Sequence, residues 1–114
     1  MVGLFTRIPS VGPEQAAERL RNREAIVVDV RQRGEWRAGR IRGAVHVPLQ
    51  DLSSRIDRMP RDRTLITVCR SGHRSAAAAQ ALKRAGYEVE NLRGGMMHWA
   101  RAGLPLEPAG GRVR

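Results

Sequence analysis

The chain has 114 residues, of which 41% are hydrophobic and 28% charged, so we expect one globular domain with a buried core. A single cysteine excludes an internal disulfide framework and a cysteine-based zinc site, and no apolar run is long enough to span a bilayer. The first residues hold too short an apolar stretch for a signal peptide. We therefore expect a cytoplasmic protein with no membrane partner.

The formal net charge of +10 would attract polyanions, nucleic acid among them. The basic residues are spread over every segment, however, and aromatic residues that could stack on bases make up only 4% of the chain. We interpret most of this charge as solvated surface, with a smaller part local to the mouth of a site around Cys69. No specific nucleic-acid partner is expected.

The first half of the chain predicts a short apolar element at residues 8–11 and a helix that begins at Pro13. Residues 25–30 are apolar almost throughout, which is typical of a parallel strand covered on both faces, and the carboxyl end of this strand delivers Asp29. One or two helical turns follow, and Trp36 within them is predicted to be a core residue.

A brief strand at 45–47 ends at Pro48, and apolar residues then recur near helical spacing over 49–59. His46, which lies in that strand between two valines, is interpreted as a structural histidine. The run 65–68 predicts a buried strand, and an alanine-rich helix closed by a glycine follows it.

The last third predicts a strand over 87–92 and a final helix that begins after Gly94 and Gly95. The segment 108–114 offers little that could pack, so we expect a folded domain at 1–107 and a disordered tail at 108–114. Strands that alternate with helices imply an α/β fold, with a mainly parallel sheet and helices on both faces. Ligands bind such sheets beyond the carboxyl ends of the strands.

The stretch 69–75 lies at that edge, where a strand turns into a helix. Cys69 opens it, and the unpaired N–H groups of the first helical turn favour an anion there. With Arg70, His73 and Arg74 close in sequence, the pKa of the Cys69 thiol should lie below the free value of about 8.5. An inert core cysteine would need apolar neighbours, so we interpret Cys69 as a nucleophile.

The loop residues supply groups suited to an anionic substrate. The guanidinium of Arg74 matches an oxyanion, the serine hydroxyls can donate to it, and Gly72 lets the loop curl with its N–H groups inward. We assign substrate or anion binding to Arg70, Ser71, Gly72, His73, Arg74 and Ser75. Asp29 is interpreted as a charge partner with a structural role. No spacing typical of a metal site is present, and no cofactor is expected.

The Cys69–Arg74 loop resembles the active-site loop of rhodanese-domain sulfurtransferases, in which an arginine lies five positions after the cysteine. Two further stretches match the pattern of the family: Asp29-Val30-Arg31 with Glu35-Trp36, Gly39, Ile41, Gly43-Ala44 and His46-Val47-Pro48, and later Leu92 with Gly94-Gly95 and Trp99. The family usually has a histidine where this chain has Arg40. The resemblance covers nearly the whole chain and implies a single-domain rhodanese-like fold with a five-stranded parallel sheet, in which Arg31 supports the site.

The resemblance also implies an activity, that of a thiosulfate sulfurtransferase. Cys69 would take a sulfane sulfur from a donor such as thiosulfate, become a persulfide, and pass the sulfur to cyanide, a small thiol or an acceptor protein. A second cysteine is lacking, so the acceptor must be external.

Three other functions remain open from the sequence. A cysteine phosphatase or arsenate reductase also places cysteine and arginine around an anion loop, but its arginine would fall at Ser75 here. A carrier or non-catalytic module would use the fold to deliver sulfur to a partner or to bind one. A nucleic-acid binder is suggested by charge alone.

Overall fold

The computed structural model describes residues 7–114 and contains a single sheet of five strands, all parallel. The strands are β1 (Ser10–Val11), β2 (Ala25–Asp29), β3 (Val45–His46), β4 (Thr64–Val68) and β5 (Val89–Leu92), in the spatial order β1-β5-β4-β2-β3. The predicted α/β class and five-stranded parallel sheet are therefore confirmed.

Five α-helices connect and cover these strands: α1 (Pro13–Arg21), α2 (Arg33–Ala38), α3 (Leu52–Arg55), α4 (His73–Arg84) and α5 (Gly95–Arg101). One core cluster contains side chains of α3 and α4 against the sheet, and the second contains side chains of α1 and α5. The helices therefore lie on both faces of the sheet, as the continuous apolar pattern of β2 and β4 requires.

The central pair β2 and β4 positions the candidate site. The strands pair over five residues, with Ala25 beside Thr64 and Asp29 beside Val68. Because the carboxyl ends of both strands reach the same edge of the sheet, the segments that follow Asp29 and Val68 meet there.

Two expectations about the middle of the chain are corrected. Trp36 is only half-buried, so its prediction as a core residue is wrong: α2 has no buried residue and lies beyond the end of the sheet. The Trp36 ring instead stacks on His46, with 4.5 Å between ring centroids. The apolar residues at 49–59 form α3 flanked by two 3₁₀ turns rather than one continuous helix.

Residues 108–114, expected from their composition to be a disordered tail, lie in the structure against α2. The amide of Arg112 donates to the carbonyl of Ala38 (2.8 Å), and Val113 packs on the α1–α5 core cluster. Gly39 makes this approach close, since a side chain there would overlap the backbone of Arg112. Composition alone did not reveal this contact because it depends on α2, which is distant in sequence.

Among residues 7–114, the helices are all too short, or not apolar enough, to cross a membrane.

Candidate active site

Cys69 lies directly after β4 and four residues before α4 begins, and only 1% of its surface is exposed. Its Sγ accepts a hydrogen bond from the amide of Gly72 (3.0 Å) and a second from the hydroxyl of Ser75 (3.3 Å). The sulfur is thus surrounded by donors at the N-terminal end of the twelve-residue helix α4, where the helix dipole also favours negative charge.

These contacts determine the charge of the sulfur. Burial opposes ionisation, but hydrogen bonds from the Ser75 hydroxyl and from the amides of Ser75, Gly72 and Ser71 outweigh it and lower the pKa of the Cys69 thiol. From the sequence, a low pKa is expected from the unpaired N–H groups of the first helical turn and from nearby cations. The leading favourable contributions come from the Ser75 hydroxyl and the loop amides.

Gly72 gives the loop its curl. Its φ of +115° lies in the region that favours glycine, and this turn directs its amide at the sulfur. Asn91 on β5 holds the turn from the other side, because its Nδ2 donates to the Gly72 carbonyl (3.2 Å). Thr67 on β4 donates in turn to Oδ1 of Asn91 (3.1 Å), so strand residues fix the loop.

The N-terminal end of α5 clamps the start of the loop. The amide of Met96 donates to the carbonyl of Cys69 (2.9 Å), and the amide of Met97 donates to that of Arg70 (3.1 Å). Gly95 permits this contact, since its φ is +59° and a Cβ there would overlap both carbonyls. The glycine pair noted in the sequence therefore supports the Cys69 loop as well as starting a helix.

Arg74 is held by a partner on α2. Its Nη1 and Nη2 donate to the two carboxylate oxygens of Glu35, each at 2.8 Å. The same carboxylate accepts the amide of Gln32 (2.9 Å), so it also caps the helix. The hydrogen bond from Arg74 lowers the pKa of Glu35 to about 2, and the one to Glu35 raises the pKa of Arg74.

Asp29 and Arg31 form a buried pair behind the loop. The Nε and Nη2 of Arg31 donate to the Asp29 carboxylate at 2.7–3.1 Å, and neither side chain is exposed. Arg31 also donates to the carbonyls of Gly39 (2.7 Å) and Glu35 (3.3 Å), which ties the end of β2 to α2. These contacts support Glu35 from below and leave the pair remote from solvent.

The remaining loop residues border the mouth of the site. Arg70 is exposed, and its guanidinium contacts the carbonyl of Arg114 (3.0 Å) and the sulfur of Met97 (3.0 Å). Ser71 and His73 are also exposed and contact each other at 3.3 Å. The structure thus groups Gly72, Ser75 and the amide of Ser71 around the sulfur, while the side chains of Arg70, Ser71 and His73 lie outside it.

Two residues that shape the site have no role assigned from the sequence. Glu35 stands only as part of the family pattern and Asn91 gives no signal, because both reach the loop from distant segments that the parallel order of the strands brings together. His46 has the contact expected of a structural histidine, since its Nε2 lies 2.8 Å from the carbonyl oxygen of Arg31. Over residues 7–114, His, Cys, Asp and Glu side chains nowhere cluster in threes that could hold a metal ion.

Comparisons with known proteins agree with this geometry. A family model for the rhodanese-like domain matches residues 12–102. A sulfurtransferase of Allochromatium vinosum is 38% identical over 101 residues, which cover 87% of this chain and 94% of that protein. The crystal structure of a rhodanese-related protein from Thermoplasma volcanium superposes with a TM-score of 0.81 at 28% identity, covering 86% of this chain and 96% of that one.

A longer relative shows the same domain as part of a larger protein. An HTH-type transcriptional regulator of Mycobacterium tuberculosis is 40% identical over 103 residues, which cover 83% of this chain. The chain spans less than half of that regulator, since the match covers 46% of its length.

Proposed function

Because the chain belongs to the rhodanese-like domain family, within which its relatives include sulfurtransferases, we propose that it transfers a sulfane sulfur through a persulfide on Cys69. The observation that carries this proposal is the set of hydrogen bonds donated to the sulfur of Cys69. Donors from Gly72 and Ser75 stabilise a thiolate, which is the nucleophile that the reaction needs. A reducing compartment such as the cytoplasm would keep this thiol free.

In the first step the Cys69 thiolate attacks the outer sulfur of a donor such as thiosulfate. A bond forms between Sγ and that sulfur, the sulfur–sulfur bond of thiosulfate breaks, and sulfite departs with the electron pair. The negative charge moves to the terminal sulfur of the persulfide, where the loop amides and the dipole of α4 stabilise it.

In the second step an external nucleophile attacks the terminal sulfur. With cyanide, the persulfide bond breaks, thiocyanate leaves, and the electron pair returns to Sγ as the thiolate. The described chain has a single cysteine, so the acceptor is another molecule.

The pairing of Arg74 changes the role expected for this residue. The sequence suggests that Arg74 binds the sulfonate end of thiosulfate, but the pair with Glu35 already uses one N–H of each Nη and offsets the positive charge. We propose that Arg74 stabilises negative charge near Cys69 from within the ion pair and binds a donor more strongly when Glu35 is displaced. Glu35 is the main cause of the raised pKa of Arg74, and the charge of Cys69 adds to it, so the Arg74 and Cys69 charges interact.

A second candidate, a module that delivers sulfur within a larger assembly, is favoured by the match to a segment of a longer regulator. Such a module would still form the persulfide but would turn over slowly with small acceptors. A cysteine phosphatase fits less well, because its arginine would stand at Ser75, which here is buried against Cys69.

Steady-state kinetics with thiosulfate and cyanide test the proposal. Release of sulfite and thiocyanate with a ping-pong pattern is expected, together with no comparable turnover of an aryl phosphate. Cys69→Ser should abolish the reaction, Arg74→Ala should slow it, and Arg74→Lys should restore it only in part because an ammonium lacks the planar fork. Hydrolysis of the aryl phosphate without any sulfur transfer would refute the assignment.

A further inference from the structure

Five exposed arginines lie on the Cys69 loop, on the C-terminal segment that adjoins it and on α2, and they are called here the arginine rim. They come from α2, from the loop and from the C-terminal segment: Arg33, Arg37, Arg70, Arg112 and Arg114. All five are exposed. Three segments distant in sequence thus carry the same charge on their exposed side chains.

Three contacts establish that these segments adjoin. The guanidinium of Arg70 donates to the carbonyl of Arg114 (3.0 Å), and the amide of Arg112 donates to the carbonyl of Ala38 at the end of α2 (2.8 Å). The guanidinium of Arg114 lies against Gly34, in the space that a side chain there would fill. Since Arg33 and Arg37 are four residues apart on α2, they share one face of that helix.

The side-chain ion pairs of residues 7–114 leave the rim guanidinium groups without a carboxylate side chain as partner. The acid that adjoins the rim, Glu35, is already paired with Arg74, and Asp29 is paired with Arg31. Like charges at close range repel, so an arrangement of this kind is stabilised by an external anion.

We propose that the arginine rim is the docking surface for an acidic acceptor protein, whose cysteine takes the sulfur from Cys69. This inference rests on the proposed sulfur transfer and adds the class of partner. Cys69 is 1% exposed, so the acceptor thiol must approach through the mouth that Arg70 borders. Acidic residues that flank such a cysteine would then lie over the rim.

The observations favour a protein over the other anions. A small donor such as thiosulfate would contact one or two of the arginines, whereas the rim extends from the loop along α2. Nucleic acid binding commonly uses aromatic side chains that stack on bases. The aromatic ring of α2, Trp36, is already stacked on His46 and lies under the guanidinium of Arg40.

The test uses three synthetic acceptor peptides, each with one central cysteine, flanked by aspartates, by serines or by lysines. The protein is first loaded with sulfur from thiosulfate and freed of excess donor, and the rate of sulfur transfer to each peptide is followed by mass spectrometry. At low salt the acidic peptide should react at least about tenfold faster than the serine peptide. The ratio of the two rates should become smaller at about 0.15 M salt.

Charge reversal locates the effect. The double variant Arg112→Glu, Arg114→Glu should abolish the preference for the acidic peptide. The double variant Arg33→Glu, Arg37→Glu should do the same, and it keeps the test valid if the first variant fails to fold. The control is Arg58→Glu with Arg84→Glu, which changes the net charge equally. Both control residues are exposed. Arg58 precedes β4 and Arg84 is the last residue of α4, so both lie away from the carboxyl ends of the strands, where Cys69 lies.

The outcomes separate the inference from the function on which it rests. Equal rates for the acidic and serine peptides, or equal loss in rim and control variants, would overturn the docking surface while sulfur transfer stands. Failure of Cys69 to load from any donor would overturn both. Binding of RNA at physiological salt that the rim variants abolish would assign the surface to nucleic acid and refute an acidic protein partner.

Discussion

Glu35 and Arg74, 39 residues apart in sequence, form a two-point ion pair in which both bonds measure 2.8 Å. The pair joins α2 to the first turn of α4 and offsets the charge of a guanidinium that interacts with Cys69. It therefore links the helix that carries part of the arginine rim to the loop that holds Cys69.

Glu35→Gln should leave the Arg74 guanidinium freer to bind an anionic substrate. The amide oxygen of glutamine can still cap α2, but it offers Arg74 one neutral acceptor in place of a carboxylate. We expect KM for thiosulfate to fall by up to about tenfold, since one charge-assisted hydrogen bond is worth roughly 1.5 kcal/mol or more. Steady-state kinetics measure this change.

Glu90→Gln is the matched control, because Glu90 pairs with Arg19 at 2.7 Å with similar exposure but on the α1 side of the sheet. A rise of KM in Glu35→Gln, with Glu90→Gln unchanged, would mean that Glu35 holds Arg74 in place for the substrate.

The same pair should make stability depend on pH in the acid range. The folded pKa of Glu35, about 2, lies below the ordinary value of 4.5, so its stabilisation is present above pH 4.5 and is lost as the pH falls toward 2. The pair is partly exposed, and we expect about 1 kcal/mol or less. Urea unfolding of wild type and Glu35→Gln should differ at pH 6 and converge near pH 2; a constant difference would contradict the linkage.

Ser75→Ala should raise the pKa of Cys69. The substitution removes the hydroxyl that donates to Sγ and leaves the amides, so the thiolate becomes less stable while the loop keeps its shape. The rate of alkylation by iodoacetamide against pH should shift its midpoint upward relative to wild type. Ser54→Ala serves as the control, since that hydroxyl contacts only the carbonyl of Asp51. An unchanged midpoint in Ser75→Ala would show that the hydroxyl does not stabilise the thiolate.

Gly95→Ala should damage both fold and site. Its φ is +59°, and the added methyl would overlap the carbonyls of Cys69 and Arg70, so a loss of about 3 kcal/mol or more is expected. Gly103→Ala is a close control, because its φ of +75° is equally unfavourable but the space around it is open. We expect about 1–2 kcal/mol there. Thermal unfolding distinguishes the two, and equal losses would show that the contact with the loop is unimportant.

The sequence predicts the sheet better than it predicts the site. The continuous apolar runs of β2 and β4 identify buried parallel strands, and parallel strands require the crossover helices that the structure contains. Because β2 and β4 end at the same edge of the sheet, the turn after Asp29 also lies next to the Cys69 loop. The local apolar pattern was sufficient for β2 and β4 because each of these strands is buried on both faces.

What the sequence missed depends on contacts between distant segments. The residue type of Trp36 predicts a core position. However, α2 lies beyond the sheet, and the Trp36 ring stacks on His46 there. The partner of Arg74 could not be inferred, because several acids are available to an exposed arginine. The packing of residues 108–114 on α2 likewise depends on Gly39, whose lack of a side chain has no local signature.

The most direct test of the account is the intact mass of the protein after incubation with thiosulfate. We predict a gain of one sulfur atom, located on the Cys69 peptide, reversed by cyanide with release of thiocyanate and absent in Cys69→Ser. A protein that folds normally, reacts with iodoacetamide at Cys69 and yet never gains sulfur from thiosulfate or from an organic persulfide would contradict the central claim.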